Sequence, residues 1–108
     1  METAIDGFQG PRARDLSDPD RALAAAKHCA GDGDTEYGTG SGDYPIDQGI
    51  TVSSGRDFAR IDLAPSEPAV REQRVDSVMP SFSGVGWTDD GVGDPLKMHA
   101  HRELITGR

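Results

Sequence analysis

The chain has 108 residues and a formal net charge of −8, and only 19 of its residues are Leu, Ile, Val or Phe. That share lies below the roughly 20% at which a highly charged chain ordinarily gathers a core of its own, and the length leaves room for one small domain. The acidic balance argues against binding nucleic acid, which needs clustered Lys and Arg, and against docking on an anionic membrane surface.

Residues 1–15 mix Gly7, Gly10, Pro11 and alternating charges around two isolated apolar residues, Ile5 and Phe8. They read as an extended N-terminal arm whose apolar pair is a candidate anchor on a neighbouring protein, set apart from a domain over 16–108. The first expected helix covers about 19–29. Ser17 or Asp18 can cap it, Pro19 suits the first helical position, and Asp20 complements the positive end of the dipole. Its apolar face is Leu23 with Ala22, Ala26 and Ala30, too thin to stand without support, so Leu23 is a second candidate contact. The longest unbroken apolar stretch, Ala22 to Ala26, is too short for a transmembrane helix or a signal-peptide core. Cys29 is the sole cysteine; it rules out an internal disulfide and fits a reducing compartment. The expected location is cytoplasmic or virion-associated.

From Gly31 to Gly55 the chain carries seven glycines and five acids with no Lys or Arg, the composition of a long acidic loop. Asp32, Asp34 and Glu36, followed by Gly38 and Asp43, place oxygen ligands at alternating positions. This run resembles the calcium loop of the EF-hand family, and the resemblance implies calcium ligation by Asp32, Asp34, Glu36 and Asp43. Tyr37 stands where that loop needs glycine and Asp43 where it needs a bidentate glutamate, so a hydrated acidic loop is the preferred reading, with no cofactor otherwise implied. Gly38, Gly40 and Gly42 lack the lysine of a phosphate-binding loop.

Ile50–Ser53 and Phe58–Leu63 read as two short strands joined through Ser54, Gly55 and Arg56, with Ala59, Ile61 and Leu63 on one face. A second helix is expected from Ser66 to about Val78, with Val70, Val75, Val78 and Met79 as a partial stripe and Pro80 as its stop. Residues 81–93 carry Phe82, Val85, Trp87 and Val92 among glycines, with Asp89, Asp90 and Gly91 as the turn of a small hairpin. Trp in a glycine-rich segment is suited equally to a binding hot spot and to anchoring the chain's own core; Phe82, Val85 and Trp87 are candidate contacts on the first reading. A third helix begins at Asp94 and Pro95 and places Leu96, Ala100 and Leu104 on one face. His99, His101 and Glu103 would share a face on a strand, as a metal site requires, whereas on this helix His99 pairs with Glu103 at the surface.

The expected fold is therefore α+β: about three short helices, one or two hairpins and a long glycine-rich loop. No nucleophile motif occurs, and so little core is a poor support for rigid catalytic groups, so no enzyme is expected. The composition fits a non-enzymatic accessory or assembly protein ordered by a larger protein complex, of the physical type of a viral capsid cement or connector subunit. An alternative is a small acidic inhibitor that mimics DNA or blocks a basic surface, resting on the cation-free stretch from His28 to Gly55. A calcium-dependent module is the third. The excess of Asp (14, against 5 Glu) and scarcity of Lys (2, against 9 Arg) fit either GC-rich coding or salt adaptation, which circular dichroism in dilute and molar KCl separates.

Overall fold

The computed structural model describes residues 2–89 and 95–106. The chain runs through α1 (Glu2–Gln9), β1 (Ala25–Cys29), β2 (Ile50–Ser53), α2 (Gly55–Phe58), α3 (Ser66–Arg71), β3 (Ser77–Pro80), β4 (Gly84–Trp87), β5 (Leu96–Lys97) and α4 (Arg102–Thr106). Short 3-10 turns at Ala13–Ser17, Asp32–Asp34 and Met98–Ala100 lie between them. β1 and β3 form a two-stranded parallel sheet, and β2, β4 and β5 a three-stranded mixed one in which β4 is central. The fold is α+β, as expected from the sequence.

Two small apolar clusters hold these elements. Ile5, Ala26 and Ala69 bring α1, β1 and α3 together. Ala30, Phe58, Val85 and Met98 form the other, flanked by Cys29, Leu63, Trp87 and Leu104. Phe58 is fully buried and meets Trp87 edge-on at 5.3 Å, an arrangement that favours the ring quadrupoles. Between β1 and β2, Gly31 turns the chain with φ +97, and an added Cβ would stand 3.1 Å from the Phe58 ring. Its carbonyl accepts the buried Thr51 hydroxyl at 2.6 Å.

Several elements depart from the sequence expectation. Residues 2–9 form a helix rather than an extended arm, because Ile5 finds a place on Ala26 and Ala69. Gly10, at φ +80, ends it by donating to the Asp6 carbonyl, and Pro11 follows. The expected helix over 19–29 is replaced by a turn and β1. The Asp18 carboxylate accepts from Asp20 N in a local turn, and Ala25, Ala26 and Lys27 pair in parallel with Ser77, Val78 and Met79. Helix propensity is a weak prior against such pairing, and small side chains let α1 and α3 approach the strand closely.

The expected strand over 58–63 is helical. Ser54 Oγ accepts from Asp57 N at 3.1 Å and donates to the Asp57 carboxylate at 3.0 Å. This cap starts α2, which continues as a wider turn over Ala59–Leu63. The second helix stops at Arg71 rather than Val78, with Ser77–Pro80 taken into β3 beside β1. The third expected helix is divided into β5, a 3-10 turn and α4. β4 and β5 pair antiparallel, Gly84 with Lys97 and Val85 with Leu96. Asp90, Gly91, Val92 and Asp94, expected in the intervening turn and helix start, lie outside the described residues.

Candidate functional site

The polar side chains that converge most closely sit where the C-terminal ends of β1 and β3 meet the glycine-rich loop. The left-handed turn at Gly31 swings Asp32 back over β1, so its carboxylate reaches His28 and the residues after β3. Asp32 Oδ2 accepts from His28 Nδ1 at 2.9 Å. The other oxygen accepts from the hydroxyls of Ser81 and of Ser83, the latter at 3.1 Å. Ser83 N donates to Ser81 Oγ at 2.9 Å, and Thr35 Oγ1 lies 3.3 Å from Ser83 Oγ. Ser81 and Ser83 are buried, and three donors hold Asp32 in one orientation.

The order of contacts determines what this cluster can do. In a nucleophilic triad the imidazole bridges carboxylate and hydroxyl. Here the carboxylate is the bridge, and both hydroxyls donate to it. That arrangement places a carboxylate at the surface and pairs both serine hydroxyls with it rather than with the imidazole.

His28 and Asp32 form the wall between two clefts. The larger, about 570 Å³, is lined by Lys27, Asp32, Asp34, Ile61 and Asp62 among others. Asp62 Oδ2 is buried without a hydrogen-bond partner among the described residues. Burial, and after it the neighbouring Asp34 carboxylate, push the Asp62 carboxyl above the ordinary carboxylate range. The smaller cleft, about 350 Å³, lies on the opposite side and is bounded by His28, Asp32, Asp47, Ile46 and Phe82. Ile46 and Phe82 are 53% and 52% exposed, so its apolar walls face solvent.

The loop that carries Ile46 is closed on itself. Gly38 N and Gly40 N both donate to the Pro45 carbonyl, at 2.8 and 3.1 Å, and Ser41 N donates to the Asp47 carbonyl at 2.8 Å. Glu36 N donates to the Ile50 carbonyl at 2.9 Å and so joins the loop's two ends. Such self-bonded surface loops are frequently functional. This one exposes Tyr37, Tyr44 and Ile46.

The residues singled out from sequence separate into two groups. Phe8, Leu23 and Phe82 are exposed, with Phe8 and Leu23 lining one apolar cleft of about 360 Å³ between α1 and β1. Ile5 and Val85 are buried in the two apolar clusters, and Trp87 packs against the second. These three are occupied by the chain's own interior, because each alternates or rotates inward on its element. Asp32 is engaged by His28, Ser81 and Ser83, Asp34 lies beside Asp62 in the larger cleft, and Glu36 and Asp43 are exposed. Among the described residues no group of three or more His, Cys, Asp or Glu is gathered closely enough to hold a metal ion. His99 meets Phe82 edge-on at 6.2 Å rather than pairing with Glu103. His101 is buried against Trp87 at 5.5 Å, its Nε2 without a hydrogen-bond partner.

Sequence reasoning missed His28, Ile46, Asp47, Ser81 and Ser83. His28 and Asp32, four residues apart, were the signal for half of the cluster, but their pairing depends on the turn at Gly31. No helix among the described residues is long and apolar enough to cross a membrane. Comparison with family models, curated proteins and solved structures finds no match to the chain.

Proposed function

We propose that the protein is a non-enzymatic accessory or assembly subunit whose exposed apolar faces are covered by a larger protein complex. The observation that carries this reading is the distribution of large apolar side chains. Among the described residues, twelve of them are exposed, including Phe8, Leu23, Tyr37, Ile46, Phe82 and Leu96. The large apolar side chains that are buried are Ile5, Phe58, Val85 and Met98.

The surface area supports the same reading. The chain exposes 7362 Å², against about 5,800 Å² for a folded monomer of this size. Its radius of gyration is 15.6 Å, against about 13 Å for a compact domain of this length. The surplus, about 1,560 Å², is about twice the roughly 800 Å² that one partner contributes to a standard protein–protein interface. Clustered exposed apolar side chains mark interaction sites, and an acidic chain favours a partner whose contact face is basic.

The test is sedimentation of the endogenous protein in a gentle extract of its source cells or particles. The expected result is migration with an assembly many times its own mass. Migration as a free 11.5 kDa chain under conditions that leave other complexes intact contradicts the proposal.

A further inference from the structure

We infer that the cleft between Ile46 and Phe82 is a docking groove for an arginine or lysine side chain of a partner protein, flanked on that partner by apolar residues. The inference rests on the accessory-subunit reading and adds the chemistry of the partner and the place of contact.

Two carboxylates and two exposed apolar side chains share this cleft. Asp32 and Asp47 line it together with Ile46 and Phe82. From Ala30 through Gly55 the chain has no Lys or Arg, so no cation of this segment competes for the two carboxylates. Lys97, the cation bonded to the loop from outside, donates to the Gln48 carbonyl at 2.7 Å and lines the neighbouring cleft instead. The imidazole at the cleft, His28, is engaged through Nδ1 with Asp32. A long cationic side chain fits these groups because its methylene stem covers apolar walls while its head meets carboxylates. A small free cation would leave Ile46 and Phe82 in water, so a protein with apolar neighbours on either side of the charge is the occupant the groove favours.

The chain's own hydrogen bonds brace both sides of the groove. Asp32 is held by His28, Ser81 and Ser83. Ile46 and Asp47 lie within the loop closed by the Pro45 and Asp47 carbonyls. Such bonds lower the cost of ordering the loop on association, which is where loop-borne sites usually forfeit affinity.

The probe is a fluorescein-labelled nonapeptide of alternating leucine and arginine, followed by fluorescence anisotropy against the full chain at about 0.15 M salt. Its partner probe carries citrulline, uncharged and of the same shape, at every arginine. The expected result is binding of the arginine peptide alone. Asp47→Asn and Phe82→Ala should each weaken it about tenfold, and Asp76→Asn, an exposed acid just before β3 and so at the end of that strand away from Phe82, should leave it unchanged. Both groove residues are exposed, so neither variant removes core packing. Equal binding of the citrulline peptide overturns the inference, as does equal weakening by Asp76→Asn, which marks a diffuse acidic field. Absence of binding overturns it as well. Light scattering in parallel identifies the remaining occupant: dimerisation of the unliganded chain that Phe82→Ala abolishes assigns the groove to a second copy and also overturns the inference. The two readings fail separately. Groove-dependent peptide binding by a chain that sediments alone removes the assembly role and keeps the groove, whereas an assembly-bound chain that ignores the peptide loses the groove alone.

Discussion

Gln9 joins three segments through one buried amide. Its Nε2 donates to the Arg74 carbonyl at 3.2 Å, and its Oε1 accepts from Ala24 N at 3.1 Å and Asp76 N at 2.9 Å. It thereby ties the end of α1 to the entries of β1 and β3, where small alanines offer little apolar area. Gln9→Ala leaves two amides without their acceptor, at a cost of about 2 kcal/mol, and should speed hydrogen exchange at Ala24 and Asp76 by about 30-fold. Unchanged exchange there would show that the amide is incidental.

Asp62 is the opposite case, a carboxyl in an unfavourable place. Its folded-state pKa is raised, first by burial and then by Asp34, so the folded chain holds its proton more tightly than the unfolded chain does. The associated stability is fully present below the unfolded value, about 3.9, and is lost as pH rises through the folded one. Asp62→Asn should therefore raise resistance to urea at pH 7, by on the order of 1 kcal/mol, and the gain should vanish near pH 3. A gain that persists at low pH would trace to packing rather than to charge. Asp57 runs the other way: its pKa is lowered mainly by the Ser54 hydroxyl, then by Arg60, so its contribution is kept above the unfolded value and lost as pH falls through the folded one.

The glycine-rich loop owes its form to close backbone approach at one glycine. A Cβ on Gly40 would stand 2.6 Å from the Pro45 carbonyl carbon and 2.7 Å from Ile46 N, distances that no side chain can relieve. Gly33, in the same acidic stretch, has nothing within 4 Å of such an atom. Gly40→Ala should open the loop to chymotrypsin at Tyr37 and abolish peptide binding, with Trp87 fluorescence unchanged; Gly33→Ala should do neither. Equal protection in both variants would mean that the loop is not held by this contact.

The loop's extent and the strand Ile50–Ser53 were legible in the sequence because glycine density, absent cations and β-branched residues mark them directly. Its closure was not, since that depends on which carbonyl the glycine amides meet. The 19–29 segment was misread for a physical reason. Alanine favours helix in isolation, but a helix there would bury little beyond Leu23, whereas the strand pairs with Ser77–Pro80 and admits Ala26 to the core. Helix α2 was legible and overlooked: Ser54 and Asp57 stand at capping-box spacing, outweighed by an apparent alternation at Ala59, Ile61 and Leu63.

Over the whole chain, composition carried the shortage of core, which follows from counts rather than from partners in space, while the α+β class came from the mix of short helix and strand signals along the chain, several of which fell on the wrong segments. The candidate site was half legible. Asp32 and Phe82 come from conspicuous sequence features, while His28, Ser81 and Ser83 matter only because β1 and β3 end beside the turn at Gly31. The remaining surface explains why so many apolar residues look unplaced: Phe8 and Leu23 frame one open cleft, and Ile46 and Phe82 another. A chain arranged this way should hold its two small clusters weakly when alone.

Differential scanning calorimetry of the purified chain in ordinary buffer tests that directly. The expected trace is broad, with an unfolding enthalpy well below the roughly 0.7 kcal/mol per residue of self-sufficient domains. A sharp, reversible two-state transition carrying that full enthalpy would contradict the account.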